Sequence, residues 1–456
     1  MREQPKSPPK IAPQAVSTIT QVREYELITP LFGGGVKPGE ADAVTVVRAT
    51  EIRGHLRFWW RACRGGRYKN ISEMKKGEDA IWGKAHTKEE DGVAQEQTVQ
   101  IVLEPLVQTK QLLEPFPIKV EEKMRKSIYD PRTNIPSYAA FPLQYNKDEL
   151  KELDPPKKTV RTNVRFRFTI SFEERYEADI KAALWAWETF GGIGARTRRG
   201  FGALRCVSVK SNQDVLIDLP LGEDEEVEKW IEIKLDEHVV QGSWLVSVPH
   251  LSKQGHLLRV ISEKNNRDVF LVWNDLIDRL KSFRQMRSKS NKPNARHPGR
   301  SLWSEPSTIR FLTKQSLTGH SSPVPNPAIH KFPRAAFGLP IIFKFIDADK
   351  YNFDKSDKDP RKTELRLKTS ERFASPLILK PLACREGVYV GLALILEGTS
   401  LNGNQLILKT QEGKEGEWNV EASLGSSETL LLKDSSGNLH QIDSQTNALK
   451  AFLKYL

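Results

Sequence analysis

The sequence predicts an α+β chain of ferredoxin-like, RRM-like units broken by long insertions. Three observations carry this. Segments with period-two alternation are interleaved with segments of helical periodicity. In the first half their order is strand, helix, strand, strand, helix, glycine-rich loop, strand, the split β-α-β pattern. Beyond an acidic stretch at 223–237, a second set of strand and helix signals repeats the theme less cleanly. With 456 residues, roughly two to four domains are expected. The division read here is a flexible arm over 1–15, a first domain over 16–220 and a second over 221–456.

The elements follow in order. Residues 1–15 are rich in Pro and Lys. TITQVREYELITPLF (18–32) is rich in β-branched and aromatic residues, reads as a strand, and ends at Gly33, Gly34 and Gly35. EIRGHLRFWWRACR (51–64) reads as a helix whose buried face is Ile52, Leu56, Trp59, Trp60 and Cys63, stopped by Gly65 and Gly66. A second helix is expected at 72–83 and a strand at 97–107. Residues 108–157 form a Pro-punctuated insertion. TVRTNVRFRFTISF (159–172) puts Val160, Val164, Phe166, Phe168 and Ile170 on one face of a strand. EERYEADIKAALWAWETF (173–190) reads as a helix, followed by a Gly/Arg loop and a short strand near 202–209. The acidic stretch 223–237 reads as a junction. In the second half, strands are expected at 242–248, 338–345, 375–382 and 388–396, with a helix at 268–286. Residues 287–334 read as a basic, Pro-rich loop region.

Composition narrows the function classes. Apolar residues are 38% of the chain, enough for packed cores. Lys plus Arg number 70 against 58 for Asp plus Glu, a formal charge of +12. That surplus favours a polyanionic partner such as nucleic acid. The three cysteines, Cys63, Cys206 and Cys384, are far apart and form no C-x-x-C pair, which disfavours a disulfide framework or a zinc ribbon. The opening MREQPKSPPKIAPQ has no apolar core of a signal peptide, and no apolar run approaches the roughly 18 residues that span a bilayer. A cytoplasmic protein without membrane, metal or cofactor is expected.

Three basic constellations stand out. Arg53, Arg57 and Arg61 recur at i, i+4, i+8 on one helix face, flanked by Arg48, Arg64, Arg67 and Lys69. Like charges at that spacing weaken a helix, so a ladder without carboxylate partners points to an anionic ligand. The alternative is a solvated face opposite the tryptophans. GGIGARTRRGFG (191–202) combines Arg196, Arg198 and Arg199 with five glycines, which let backbone N–H groups approach an anion. It fits neither the P-loop nor the dinucleotide fingerprint; the alternative is a tight structural connection. KSFRQMRSKSNKPNARHPGR (281–300) has seven Lys or Arg and no acid, including Lys289 and Arg296, as in segments that order on nucleic acid or stay solvated. The nine histidines make no metalloprotease or zinc spacing. Asp42, His55 and His297 are the residues that by type could serve a nuclease.

ITPLFGGG (28–35), TEIRGHLRFWWRACRGG (50–66) and GGIGARTRRGFG (191–202) together resemble the RAMP superfamily of CRISPR effector proteins. The block from Arg53 to Arg61, with FPRAAFGLPIIFKF (332–345) and RFASPLILKPL (372–382), is similar to the family of the first-named Cmr subunit of type III-B complexes. The resemblance implies two RRM-like domains in one chain, at the end of a multi-subunit ribonucleoprotein near the crRNA 3′ end. Its partners would be crRNA, target RNA and other Cmr subunits, in antiviral defence. It implies RNA binding without catalysis. Arg53, Arg57, Arg61, Arg196, Arg198 and Arg199 are the expected RNA contacts, with Arg48, Arg64, Lys289, Arg296 and Arg334 as second choices. The catalytic backbone subunits of such complexes carry an acid in the loop after their first strand, so an endonuclease using Asp42 or His55 is the first rival. A purely structural assembly subunit is the second.

Overall fold

The computed structural model describes residues 17–35, 45–84, 98–108, 111–121, 124–211, 217–262, 266–289, 299–317, 320, 322–324, 328–345, 359–360, 362–399, 401, 406–412 and 416–456. The first half runs β1 (Thr18–Leu27), α1 (Ala49–Arg64), α2 (Ile71–Trp82), β2 (Gln100–Gln108), β3 (Leu112–Leu113), β4 (Ile118–Glu121), β5 (Met124–Ser127), α3 (Ser137–Ala140), β6 (Val160–Arg161), β7 (Val164–Glu173), α4 (Glu177–Phe190) and β8 (Leu204–Ser211). The main sheet is antiparallel with order β2-β7-β1-β8. With α1 and α2 between its first and second strands and α4 after its third, this is the ferredoxin-like order expected from the sequence. The alternation in β7 places Val164, Phe166, Phe168, Ile170 and Phe172 in the core. Burying one such side chain stabilises the fold by roughly 2 kcal/mol. On the helix side, Ile52, Leu56, Trp59, Trp60 and Cys63 of α1 meet Ala182, Ala183, Ala186 and Trp187 of α4 in the same core. The small residues let the two helices approach closely.

The other face of this sheet is a charged lattice. Arg167 reaches Glu24 at 2.8 Å and Glu104 at 2.6 Å, while Glu26 takes Arg165 at 3.1 Å and Arg205 at 2.9 Å. The register sets these pairs, since Glu24 stands opposite Arg167 and Glu26 opposite Arg165.

The second half runs α5 (Asp224–His238), β9 (Leu258–Ile261), α6 (Val269–Arg284), α7 (Glu305–Thr313), β10 (Ile341–Lys344), β11 (Lys362–Leu367), β12 (Leu377–Ala383), β13 (Tyr389–Ile395), β14 (Leu406–Glu412), β15 (Glu417–Val420), β16 (Leu430–Lys433), β17 (Leu439–Ile442) and α8 (Ala448–Tyr455). The order β12-β13-β9, with α6 after β9, repeats three of the four strands of the first sheet. The fourth strand of a second complete unit does not form among the described residues. Instead β10, β11, β14 and β15 make a separate antiparallel sheet, β16 pairs with β17, and α8 packs against α6. The fold is therefore α+β with several small antiparallel sheets.

Three local expectations are corrected. The acidic stretch is helix α5, not a bare junction. Val227, Ile231 and Leu235 recur every four residues and enter the core of the first half. Residues 242–248 form no strand: Trp244 stacks on His250 at 4.2 Å and lies against the backbone of Gly65 and Gly66. A Cβ on Gly66 would stand 2.9 Å from the indole. The basic loop region contains α7, with Pro306 in its first turn and Ile309 buried. The 108–157 insertion is folded too. Phe116, Ile135, Ala139, Ala140 and Leu143 join Trp273, Leu276 and Leu280 of α6 in a second core.

Candidate nucleic-acid interface

The arginine ladder of α1 has carboxylate partners after all, and they sit on α2. Arg57 Nε donates to Glu78 at 2.6 Å, its Nη2 to Asp79 at 3.1 Å and its Nη1 to the Gly83 carbonyl at 2.9 Å. Arg61 donates to the same Glu78 oxygen at 2.5 Å, and Arg53 to the Trp82 carbonyl at 2.8 Å. These groups hold the C-terminus of α2, where unpaired carbonyls favour cations. Like-charge repulsion along α1 is thus relieved within the chain. Arg64 is buried, donates to the Ala178 carbonyl at 2.7 Å, and has its guanidinium pushed below the usual arginine range by desolvation.

The Gly/Arg loop is also largely committed. Gly194 N–H donates to Glu51 at 2.8 Å, Ala195 N–H to the Phe32 carbonyl at 2.7 Å, and Ile193 N–H to the Gly202 carbonyl at 3.0 Å. Gly202 N–H donates to the Pro30 carbonyl at 2.9 Å. These amides therefore offer no nest to an anion. The glycines serve close approach instead. Gly202 holds φ +61°, and a Cβ there would stand 1.9 Å from the Ile193 carbonyl oxygen. Thr29 Oγ1 fastens the loop by donating to the Gly200 carbonyl at 2.6 Å.

The loop arginines join the two halves. Arg198 donates to the Ser375 carbonyl at 2.5 Å and lies over Phe58. Arg199 donates to the Leu377 carbonyl at 2.8 Å, and its own carbonyl accepts from Trp273 Nε1 at 2.7 Å. Burial pushes the Arg199 guanidinium down to about 9, and the nearby cations Arg284, Arg196 and Arg198 push the same way. Lys380 of β12 completes the joint. It is buried and donates to the Glu188 and Gly191 carbonyls, at 3.0 and 2.9 Å, at the end of α4. Desolvation pushes its amine down to about 7. The sequence offered one signal for Lys380, a lysine amid the apolar run of β12.

Arg196 differs from its neighbours. It sits in the left-handed region at φ 59°, and among the described residues its guanidinium has no protein hydrogen-bond partner. Its Nε is buried and unpaired. The preceding residue, Ala195, lines an open cavity of about 430 Å³ together with Gly34, Arg48, Thr50, Glu51 and Gly194. This cavity faces the N-terminus of α1, where Arg48 supplies no side-chain cap. One Arg48 nitrogen bonds the Gly34 carbonyl, and its Nε is buried without a partner. The cavity thus joins the partly satisfied Arg48 guanidinium to a helix N-terminus, an arrangement suited to a phosphate. Glu51 is the one acid lining it, held by Gly194 N–H.

The other expected residues fall elsewhere. Arg334 is spent internally, 3.2 Å from Glu305 and over the Trp303 and Phe343 rings. Lys289 is exposed. His55 lies on α1, 3.7 Å from Glu51. Asp42, Arg296 and His297 lie outside the described residues. The three cysteines are free and buried, and burial pushes their thiols up to about 12, away from nucleophilic chemistry near neutral pH. Among the described residues, no group of three His, Cys, Asp or Glu side chains is placed to hold a metal ion. No helix among them is long and apolar enough to cross a membrane.

Residues 24–205, which run from within β1 to the start of β8 and include α1, α2, α4 and the Gly/Arg loop, match the RAMP superfamily. Over that region the chain is similar to the RAMP superfamily. The chain is also similar to two curated Cmr subunits. CRISPR system Cmr subunit Cmr1-2 of Pyrococcus furiosus is 25% identical over 197 residues, covering 40% of this chain and 92% of that protein. Cmr subunit Cmr1-1 of the same organism is 28% identical over 181 residues, covering 38% of this chain and 44% of that protein. A cryo-EM structure of the type III-B Cmr-beta bound to cognate target RNA and AMPPnP, in the presence of single-stranded DNA, contains a similar chain. The two are 13% identical with a TM-score of 0.46, covering 96% of this chain and 98% of that one.

Proposed function

We propose that this chain is a non-catalytic RNA-binding subunit of a type III-B CRISPR effector complex, contacting the crRNA or its target near the crRNA 3′ end. Its partners are then the two RNAs and the neighbouring Cmr subunits, in the cytoplasm. The division into units over 16–220 and 221–456 belongs to the same proposal. The single observation that carries it is that Arg48, at the cavity before α1, and Arg196, in the Gly/Arg loop, each keep a buried guanidinium nitrogen without a protein partner. A guanidinium kept partly buried and unpaired is costly, and an RNA phosphate relieves that cost. The charged lattice on the open sheet face offers no aromatic stacking platform of the RRM kind. Contact is therefore through the phosphate backbone, and sequence choice is left to base pairing with the guide.

Of the residues expected from the sequence, Arg196 and Arg48 remain the primary RNA contacts, with Lys289 peripheral. Arg53, Arg57, Arg61, Arg64, Arg198, Arg199 and Arg334 act by holding the scaffold. Binding of labelled single-stranded RNA to the purified full chain tests this. Arg196→Glu is expected to lower affinity at least about tenfold while thermal unfolding stays cooperative. Unchanged affinity would overturn the assignment. RNA fragments that appear with the native chain and vanish in Asp42→Ala would favour the nuclease instead.

A further inference from the structure

We infer that Arg284, Arg196 and Tyr138 form a phosphate-binding site between the end of α6, the Gly/Arg loop and the folded 108–157 insertion. This rests on the RNA-binding reading above and adds residues that no family signature marks. Arg284 is the last residue of α6. Its guanidinium lies over the rings of Tyr138 and Phe337, at 5.9 and 5.3 Å. It makes no ion pair or side-chain hydrogen bond among the described residues, and its Nε is buried without a partner.

Arg196 is in the same condition, and Tyr138 is in electrostatic reach of both. Arg199 closes one side, with Nη2 3.5 Å from the Phe337 carbonyl. Arg334 closes another, donating to the Arg284 carbonyl at 3.1 Å. Glu305 is the acid that acts electrostatically on Arg284, and Arg334 already holds it. The Tyr138 hydroxyl has no protein partner among the described residues.

Several guanidinium groups thus gather around two aromatic rings with their one carboxylate spent. Ring contacts offset part of the desolvation of Arg284 but leave its donors unmade. A phosphate would accept from both free arginines and from the Tyr138 hydroxyl, the charge-assisted geometry arginine favours. All three residues keep partly exposed surface, so a strand can reach them. The insertion then has a role: α3 carries Tyr138 to the site.

The test uses the full chain with single-stranded RNA ending in a 3′-hydroxyl, the same RNA ending in a 3′-phosphate, and inorganic phosphate followed by thermal shift. Arg284→Gln is expected to weaken RNA binding about tenfold and to flatten its salt dependence by about 0.7 of a log unit per log unit. Tyr138→Phe, which keeps the ring under Arg284, is expected to weaken binding about threefold. Equal losses for both RNAs identify a backbone phosphodiester; a loss confined to the 3′-phosphate RNA identifies a terminal phosphate. If both variants bind RNA like the native chain while Arg196→Glu does not, this site is wrong and the RNA-binding reading stands. If the native chain binds no RNA but phosphate raises its melting temperature and Arg284→Gln abolishes that shift, the anion site stands and the RNA reading fails. Neither binding nor shift refutes both.

Discussion

Replacing Arg57 by Ala separates a scaffold role for the α1 ladder from an RNA role. In the structure Arg57 makes three contacts to α2, two of them to carboxylates, and the Glu78 side chain is only 7% exposed. Removing one partner of a buried pair costs about 3–5 kcal/mol. Two features reduce this. Arg61 keeps its own bond to Glu78, and the Arg57 side chain is 23% exposed, so water repairs part of the loss. The expected destabilisation is about 2–3 kcal/mol. Denaturant unfolding followed by tryptophan fluorescence measures it, since Trp59, Trp60 and Trp82 lie in the affected region. Glu78→Gln should cost a similar amount, and the double variant less than the sum, with a coupling of at least about 1 kcal/mol. RNA affinity at fixed salt should change little while the protein stays folded. Native stability in Arg57→Ala together with lost RNA binding would refute the scaffold role.

Other outcomes follow from the joint between the halves. The Lys380 amine is lowered from the ordinary lysine value to about 7 by burial, so between pH 7 and about 10 the unfolded chain holds the extra proton. Stability from this group therefore rises with pH across that window, by at most about 1.4 kcal/mol per pH unit. Lys380→Met should remove that increment in a pH series of unfolding curves. Gly202→Ala meets the Ile193 carbonyl and a positive φ together; it should destabilise the chain by more than about 1 kcal/mol, read as a lowered melting temperature. Trp273→Phe leaves the Arg199 carbonyl without its donor and should cost about 1–3 kcal/mol.

Much of the first half was legible because its signals are local. Alternation in 164–172 and the spacing of Ile52, Leu56, Trp59 and Trp60 each state a buried face outright. The acid-rich helix α5 was not, since its three apolar residues sit among carboxylates and read as a solvated run. The strand pattern of 242–248 failed because Trp244 finds its partners in His250 and in two glycines distant in sequence. The site was harder still. The sequence shows that arginines lie at i, i+4, i+8, but not that Glu78 and Asp79 of the next helix face them. Likewise it does not show that Arg198 and Arg199 turn toward backbone carbonyls of the second half while Arg196 does not. Arg284 lay within a basic run whose spacing gave no reason to single it out. Its meaning comes from Tyr138 and Phe337, which lie 146 residues before it and 53 after it in the chain.

The most direct test of RNA binding through the chain's unpaired arginines is the affinity of the native full chain for single-stranded RNA, titrated across salt. Neutralising at least two phosphates, one at the Arg48 cavity and one shared by Arg196 and Arg284, predicts that log affinity falls linearly with log salt at a slope of about −1.4 or steeper. Arg196→Gln should make the slope shallower by about 0.7. Affinity independent of salt, or no binding at low salt, would contradict it and leave the basic surface to protein neighbours.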